Sequence, residues 1–146
     1  MLLDDILEQI GHQIPLENYR IERAYEVARD SIEGDEDQLR QVFTNLIVNG
    51  LQAMEAGGTL TVVTEEDQQT GNYSVTIRDS GPGIAPDVQE KLFTPFFTTK
   101  AHGTGLGLAV SYGIVKDHGG EIRVNSSPGQ GAAFTVILPL EQGVKY

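Results

Sequence analysis

An acidic side chain stands at the end of a predicted apolar surface. Val75, Ile77 and Asp79 alternate with polar residues, so in a β-strand their side chains lie on one face. A carboxylate on an apolar face needs hydrogen-bond donors, because burying it unpaired is costly. Gly81 and Gly83 follow shortly after and leave space beside the backbone, as a flat ligand would require. The simpler alternative is that Asp79 only caps the turn after the strand, as aspartate often does.

Two amide side chains lie one turn apart on a long predicted helix. Asn45 and Asn49 have the spacing that stacks side chains on one side of a helix. Asn49 lies at the edge of the apolar stripe of this helix, and Asn45 lies further round. Two amide oxygens in this arrangement are suitable ligands for a hard cation such as Mg²⁺. Polar residues at the edge of an apolar stripe are also commonly just solvated, and the pair alone leaves both interpretations open.

A glycine-rich run opens another predicted helix: Gly103, Thr104, Gly105, Leu106, Gly107 and Leu108. It is neither a dinucleotide-binding pattern, because Leu108 replaces the last glycine, nor a P-loop. Glycines at a helix start expose backbone N–H groups at the positive end of the helix, which suits a phosphate. Lys100 and Thr104 are near enough in sequence to assist. A glycine hinge for a mobile loop is compatible with the same residues.

The composition excludes several classes of protein. The chain has 146 residues, with 10 Lys and Arg against 21 Asp and Glu, and a net charge of −11 at pH 7. This charge argues against a nucleic-acid-binding protein and against direct contact with an anionic membrane, since both partners attract basic residues. The absence of Cys excludes disulfides and thiolate metal sites. No apolar run approaches the ~20 residues of a membrane span, and the length indicates one domain.

The hydrophobic periodicity predicts the elements that position these residues. The predicted helices span about 3–14, 35–56, 87–92 and 106–118, and the predicted strands about 19–27, 59–64, 73–79, 121–125 and 133–138. Half-polar strands indicate a sheet covered by helices on one face, which is a two-layer α/β sandwich. Gly129 and Gly131 are interpreted as ordinary turn residues. The long loop between Ser80 and Gly103 is of a length that is usually functional.

The order of these motifs closely resembles the ATP-binding catalytic domain of sensor histidine kinases. The superfamily also contains gyrase, a heat-shock chaperone and a mismatch-repair ATPase. The similar motifs are an N box at Asn45–Asn49, a first glycine box at Asp79–Ile84, an F box of the nitrogen-regulation type at Leu92–Lys100 and a second glycine box at Gly103–Leu108. The resemblance runs from the first helix to Pro139. It implies the Bergerat ATP-binding fold, with a mixed sheet of about five strands, about three helices on one face and a long ATP lid over 80–103.

The resemblance also implies the ligands, ATP or ADP with Mg²⁺, and the residues that bind them. Asp79 would accept a hydrogen bond from the adenine amino group, and Thr135 would assist through a water molecule. Asn49 would bind Mg²⁺, and Asn45 would bind the metal or the phosphates. The other residues expected at the nucleotide are Gly81 and Gly83 at the base, and Lys100, Gly103, Thr104, Gly105, Leu106 and Gly107 at the phosphates.

The histidines indicate which part of such a kinase is missing. The phosphoacceptor histidine of the family lies on a separate helical bundle and is usually followed by an acidic residue. His12, His102 and His118 are followed by Gln or Gly. The chain is therefore expected to be one cytoplasmic catalytic domain, at 1–146, of an ATP-dependent histidine kinase, with no catalytic residue of its own and no autophosphorylation by itself. Its expected partners are the phosphoacceptor domain of the parent kinase and a downstream response regulator, and the parent is compatible with a membrane anchor.

Two departures from the family pattern and two alternative functions remain. Gly50 replaces the usual Ala after Asn49, and Gln52 replaces a phosphate-contacting Lys or Arg. The alternatives are a serine kinase of the anti-sigma-factor type and a nucleotide-regulated binding module without catalysis. Serine kinases of that type carry Glu where this chain has Asn45, because a hydroxyl nucleophile needs a base. Asn45 cannot act as a base, which favours the histidine kinase.

Overall fold

The order of the elements follows the predicted one closely. A computed structural model describes residues 2–26, 36–54, 57–67, 71–89, 91, 107–127 and 129–139. In chain order the elements are helix α1 (Leu2–Gly11), a 3₁₀ turn (Leu16–Asn18), strand β1 (Tyr19–Glu26), α2 (Glu36–Ala53), β2 (Gly58–Asp67), β3 (Asn72–Asp79), α3 (Pro86–Gln89), α4 (Gly107–Asp117), β4 (Glu121–Ser126) and β5 (Ala132–Pro139).

The strands form one mixed sheet of five strands in the order β1-β2-β3-β5-β4. β1 runs parallel to β2, and the other neighbouring strands are antiparallel. β3 is the central strand, and its last residue, Asp79, is paired with Leu60 of β2 and with Ala132 of β5. The predicted two-layer α/β fold with a mixed sheet is confirmed. Most of the predicted lid, at residue 90 and over 92–103, lies outside the described residues.

The helix α2 is the centre of the layer that covers the sheet. Its apolar residues recur at the spacing of one helical face and all lie in the core: Leu39, Val42, Phe43, Leu46, Ile47 and Leu51, followed by Met54 just beyond the helix end. The sequence predicted this stripe residue by residue. The packing of this buried face fixes the position and orientation of α2 on the sheet. It thereby also fixes where Asn45 and Asn49 lie.

The helices α1 and α4 pack on either side of α2. The apolar stripe of α1, from Leu3 to Ile10, is buried in the same core. Arg23 of β1 holds α1 from outside, with its Nε 3.1 Å from Asp4 Oδ1. On α4, Val115 is fully buried. The three long helices thus form one layer, as predicted, and α2 and α4 lie side by side.

Two boundaries differ from the prediction for physical reasons. β2 continues to Asp67, although the polar residues from Glu65 onwards favoured a loop, because the hairpin pairs Glu65 with Ser74 and Asp67 with Asn72. Cross-strand pairing outweighs the weak strand preference of acidic residues here. α1 ends at Gly11 rather than just before Pro15, although the amide of Ile14 still donates to the Ile10 carbonyl oxygen at 2.8 Å.

Candidate functional site

The carboxylate of Asp79 is buried at the end of the central strand. Its side chain is 4 % exposed and lies on the same face of β3 as Val75 and Ile77, which are 0 % and 2 % exposed. The Asp79 Oδ1 atom accepts a hydrogen bond of 2.9 Å from the Gly81 amide. One oxygen therefore caps the turn, as the simpler interpretation predicts, and the carboxylate lies on the apolar face below the helices.

Glycines surround Asp79 on several sides. A Cβ added to Gly50 of α2 would lie 3.6 Å from the Asp79 Cβ, and one added to Gly81 would lie 3.0 Å from the Asp79 Oδ1 and 2.9 Å from the Ala53 carbonyl oxygen. The space beside Gly81 is therefore filled by the protein's own atoms, and this glycine is needed by the packing whether or not a ligand binds. Gly83 has a φ of +83°, a conformation that glycine adopts without strain.

Gly131 also belongs to this site, which the sequence did not indicate. A Cβ on Gly131 would overlap the Asp79 carbonyl oxygen and would lie 3.3 Å from the Ser80 Cα. Its φ of +78° fits the predicted turn role, but the close contact depends on how β5 pairs with β3. No local pattern in the sequence carries that information, and only the pairing of the two strands reveals it.

The two asparagines of α2 lie on its side facing α4. The Asn45 Nδ2 atom donates to the Ser111 Oγ atom of α4 at 3.2 Å, and Ser111 is fully buried. Asn45 and Asn49 are both half-buried. Asn49 directly precedes Gly50, which lies against Asp79. The predicted metal-binding residue of α2 is therefore next to the part of α2 that contacts the predicted base-binding residue. The sequence analysis did not identify Ser111. Its position on the apolar face of α4 could have indicated that it is buried beside α2.

Thr135 is not brought to Asp79, which corrects the predicted role in the same pocket. Thr135 is paired with Thr76 in the β3–β5 register, and their Oγ1 atoms are 3.0 Å apart. Alternation along β3 places Thr76 and Asp79 on opposite faces. Thr135 therefore lies on the face away from the helices, and Ala132 is the β5 residue opposite Asp79. The buried neighbours Phe134 and Val136 already carried this signal in the sequence.

The described start of the predicted lid is bonded to the turn between β4 and β5. The Ile84 amide donates to the Ser126 Oγ atom at 2.8 Å, and the Gly129 amide donates to the Pro82 carbonyl oxygen at 2.6 Å. The Gln89 Nε2 atom donates to the Ile84 carbonyl oxygen at 2.8 Å. The first glycine box is thus bonded to the end of β4 and to the turn that leads into β5.

The predicted phosphate-binding residues are described only in part. Gly107 is the first residue of α4, whereas Lys100, Gly103, Thr104, Gly105 and Leu106 lie outside the described residues. Over the ranges that the structure describes, no group of three or more His, Asp or Glu could hold a metal ion. Among the same residues, no helix is long and apolar enough to cross a membrane.

The sequence is similar to a known protein family and to sensor histidine kinases. A profile described as histidine kinase-, DNA gyrase B- and HSP90-like ATPase matches residues 34–142. The sensor histidine kinase ZraS of Salmonella typhi is 51% identical to this chain over 109 residues, which are 75% of this chain and 23% of that protein. The chain thus spans about a quarter of the length of such curated relatives.

Solved structures resemble the whole fold. The nucleotide-free catalytic domain of the histidine kinase ThkA superposes with a TM-score of 0.86 and 29% sequence identity, covering 97% of this chain and 92% of that domain. The structure of ThkA in complex with the response regulator protein TrrA matches with a TM-score of 0.82 and 26% identity, covering 99% of this chain and 41% of ThkA. The likeness therefore extends over both layers of the sandwich.

Proposed function

This chain belongs to the family of histidine kinase-, DNA gyrase B- and HSP90-like ATPases, and from this premise we propose that it binds ATP with Mg²⁺ and presents the γ-phosphate to a histidine on a separate helical domain. The transfer is one half of two-component signalling, with a response regulator as the later acceptor. The proposal also takes residues 1–146 as one catalytic domain working in the cytoplasm, where ATP is available.

The observation that carries the proposal is the buried carboxylate of Asp79. A buried charge is stable only when hydrogen-bond donors surround it, and the Gly81 amide supplies one donor at 2.9 Å. The exocyclic amino group of adenine is a further donor of the right kind for this carboxylate. The glycines that face Asp79 let α2, the turn after β3 and the entry to β5 pack closely around the carboxylate, which fixes its position at this edge of the sheet.

The amides of α2 support a phosphate end next to this base site. Asn49 lies one residue before Gly50, and an amide oxygen is a suitable ligand for Mg²⁺. Asn45 would contact the metal or the phosphates from one turn earlier. When bound, Mg²⁺ would offset the phosphate charge, which this acidic chain does not offset through its net charge of −11. Lys100 and the second glycine box, from Gly103 to Gly107, would complete the phosphate contacts.

The chemistry that the described site favours is positioning rather than proton transfer. The half-buried side chain one turn before Asn49 is a neutral amide, Asn45, bonded to the Ser111 hydroxyl. An amide cannot take a proton from a serine hydroxyl or a water molecule. An imidazole nucleophile already carries a free lone pair and needs no such base. The site therefore fits transfer to histidine better than a serine kinase of the anti-sigma-factor type, and it fits slow hydrolysis of ATP.

The experiment mixes the purified chain with radiolabelled ATP, Mg²⁺ and separately prepared phosphoacceptor bundles of histidine kinases. We expect acid-labile, base-stable phosphate on a bundle and none on the chain alone, because none of its histidines is of the family's acceptor type. A bundle whose acceptor histidine is replaced by Gln is the matched control. Tight ADP binding with no transfer to any bundle would favour the binding module, and label on a protein serine would favour the serine kinase.

A further inference from the structure

Side chains from the end of β4 and from α3 bind the backbone of Ile84, the last residue of the first glycine box. The Ile84 amide donates to the Ser126 Oγ atom at 2.8 Å, and the Ile84 carbonyl oxygen accepts from the Gln89 Nε2 atom at 2.8 Å. Both polar groups of this residue's backbone are therefore bonded to side chains from other segments. Fixing a loop residue through both of its backbone groups removes much of its conformational freedom.

The two clamping side chains also make contacts beyond Ile84. The Ser126 hydroxyl donates to the Gly131 carbonyl oxygen at 2.7 Å while it accepts from Ile84. The second hydrogen of the Gln89 amide goes to the Ser126 carbonyl oxygen at 3.1 Å. Ser126, Gln89, Ile84 and Gly131 thus form one closed network, and its members come from β4, α3 and the two loops that meet beside Asp79.

The network reaches Asp79 by two routes. Along the chain, Ile84 ends the segment that begins at Asp79 and includes Gly83. Through space, the carbonyl that Ser126 binds belongs to Gly131, which packs directly on the Asp79 backbone. Loss of the Ser126 hydroxyl would therefore remove one hydrogen bond from the glycine box on one side of the carboxylate and one from the entry to β5 on the other.

We propose that Ser126 and Gln89 are positioning residues of the nucleotide site: they clamp Ile84 and thereby hold the first glycine box in its binding geometry beside Asp79. This inference rests on the proposed function, because it assigns the box to the base of a nucleotide. Neither residue touches the ligand in this proposal. Their effect is to preform the base end of the site before the nucleotide arrives.

The test uses two adjacent serines of the full chain. Ser126→Ala removes the clamp, and Ser127→Ala is the matched control, because Ser127 is exposed and its contact within the turn is made by its backbone carbonyl. Ser126→Thr keeps the hydroxyl and should restore binding, and Gln89→Leu should reproduce the loss from the other side of Ile84. Affinity for ADP is measured by calorimetry with and without Mg²⁺.

We expect Ser126→Ala to weaken ADP binding about five- to tenfold, the worth of one net hydrogen bond, with Ser127→Ala and Ser126→Thr near the unmodified chain. The ratio of affinities with and without Mg²⁺ should not change, because Asn45 and Asn49 are untouched. Hydrogen exchange of the Ile84 amide should accelerate while the Val75 amide in the core of β3 stays protected.

Each contrary outcome has a distinct meaning. Equal affinities for Ser126→Ala and Ser127→Ala would overturn the positioning role. Faster exchange at Val75 in parallel with Ile84 would also overturn it, because the loss would then reflect general loosening of the domain. An unmodified chain that does not bind ADP would overturn the proposed function and the positioning role with it. In that case, faster exchange of Ile84 alone in Ser126→Ala would show that the clamp exists but serves only the fold.

Discussion

Replacing Asp79 by Asn tests the assignment of the base site most directly. The two side chains have the same shape, and the Gly81 amide, 2.9 Å from Oδ1, requires an acceptor. The single side-chain oxygen of the Asp79→Asn variant will therefore stay on Gly81, and its NH₂ group will take the place of Oδ2. An N–H donor then faces the amino group of adenine, where the wild-type chain offers an acceptor.

The magnitude follows from the burial of the carboxylate. Asp79 is 4 % exposed, so water would screen a hydrogen bond from adenine to its carboxylate very little. Loss of a bond to a charged acceptor and the juxtaposition of two donors together cost about 2–4 kcal/mol, or roughly 30- to 700-fold in Kd for ADP. The unfolding free energy of the nucleotide-free chain should change by less than the binding free energy, because removal of a buried charge offsets part of the cost of altered hydrogen bonds within the protein.

Calorimetry with ADP and Mg²⁺ measures the affinity, and urea unfolding without nucleotide measures the stability. Asp87→Asn is the matched control, since Asp87 is exposed on α3 and the change in net charge is the same. Equal affinity of Asp79→Asn and Asp87→Asn for ADP would refute the assignment of Asp79 to the base. A loss of affinity with a parallel collapse of stability would refute the reasoning that the carboxylate serves the ligand rather than the fold.

Three further substitutions test the turn beside Asp79 and the helix α4. Gly131→Ala should lower the unfolding free energy in urea titrations by at least about 1 kcal/mol more than Gly129→Ala. Both glycines have positive φ, but only a Cβ on Gly131 would overlap a backbone carbonyl oxygen. Equal losses of stability in the two variants would contradict this contact. Gly113→Ala should raise the midpoint of thermal unfolding, because alanine favours the helix by about 0.5–1 kcal/mol over glycine and nothing lies within 4 Å of the added methyl group. A lower midpoint would contradict the open space beside Gly113. Ser111→Ala should weaken ADP binding more with Mg²⁺ than without it, because it removes the hydroxyl that accepts a hydrogen bond from the Asn45 amide. An unchanged Mg²⁺ dependence in calorimetry would argue against that link.

Local periodicity was enough to predict the layers of the fold. The stripe of α2 and the alternation of β3 are repeated several times within one element, so a single unusual residue does not hide them. Asp79 could be placed on the buried face for the same reason, because it continues the run of Val75 and Ile77. Asn45 and Asn49 were likewise placed by the helical period alone.

The contacts made between elements could not be predicted in this way. Gly131 looks like any turn glycine, and its contact with Asp79 exists only because β5 pairs with β3 in one register. The hydrogen bond between Ser126 and Ile84 joins the end of β4 to a loop that is far from it in the sequence. Thr135 differs in kind: the alternation of β5 already indicates the face away from the helices, where Thr135 pairs with Thr76, and only the motif resemblance pointed to Asp79.

The pairing of Asp79 with Ala132 makes the site depend on the last strand of the sheet to be synthesised. α2, β2 and β3 are neighbours in sequence, whereas β5 must return from beyond α4 to lie beside β3. Such long-range pairing forms slowly compared with a hairpin. A chain still lacking β5 would have Asp79 on a sheet edge without Gly131 or Ser126 beside it. A nucleotide that binds only the completed site would therefore stabilise the finished domain, by about 2.7 kcal/mol at a hundred times its Kd, and would favour mature molecules over partly folded ones.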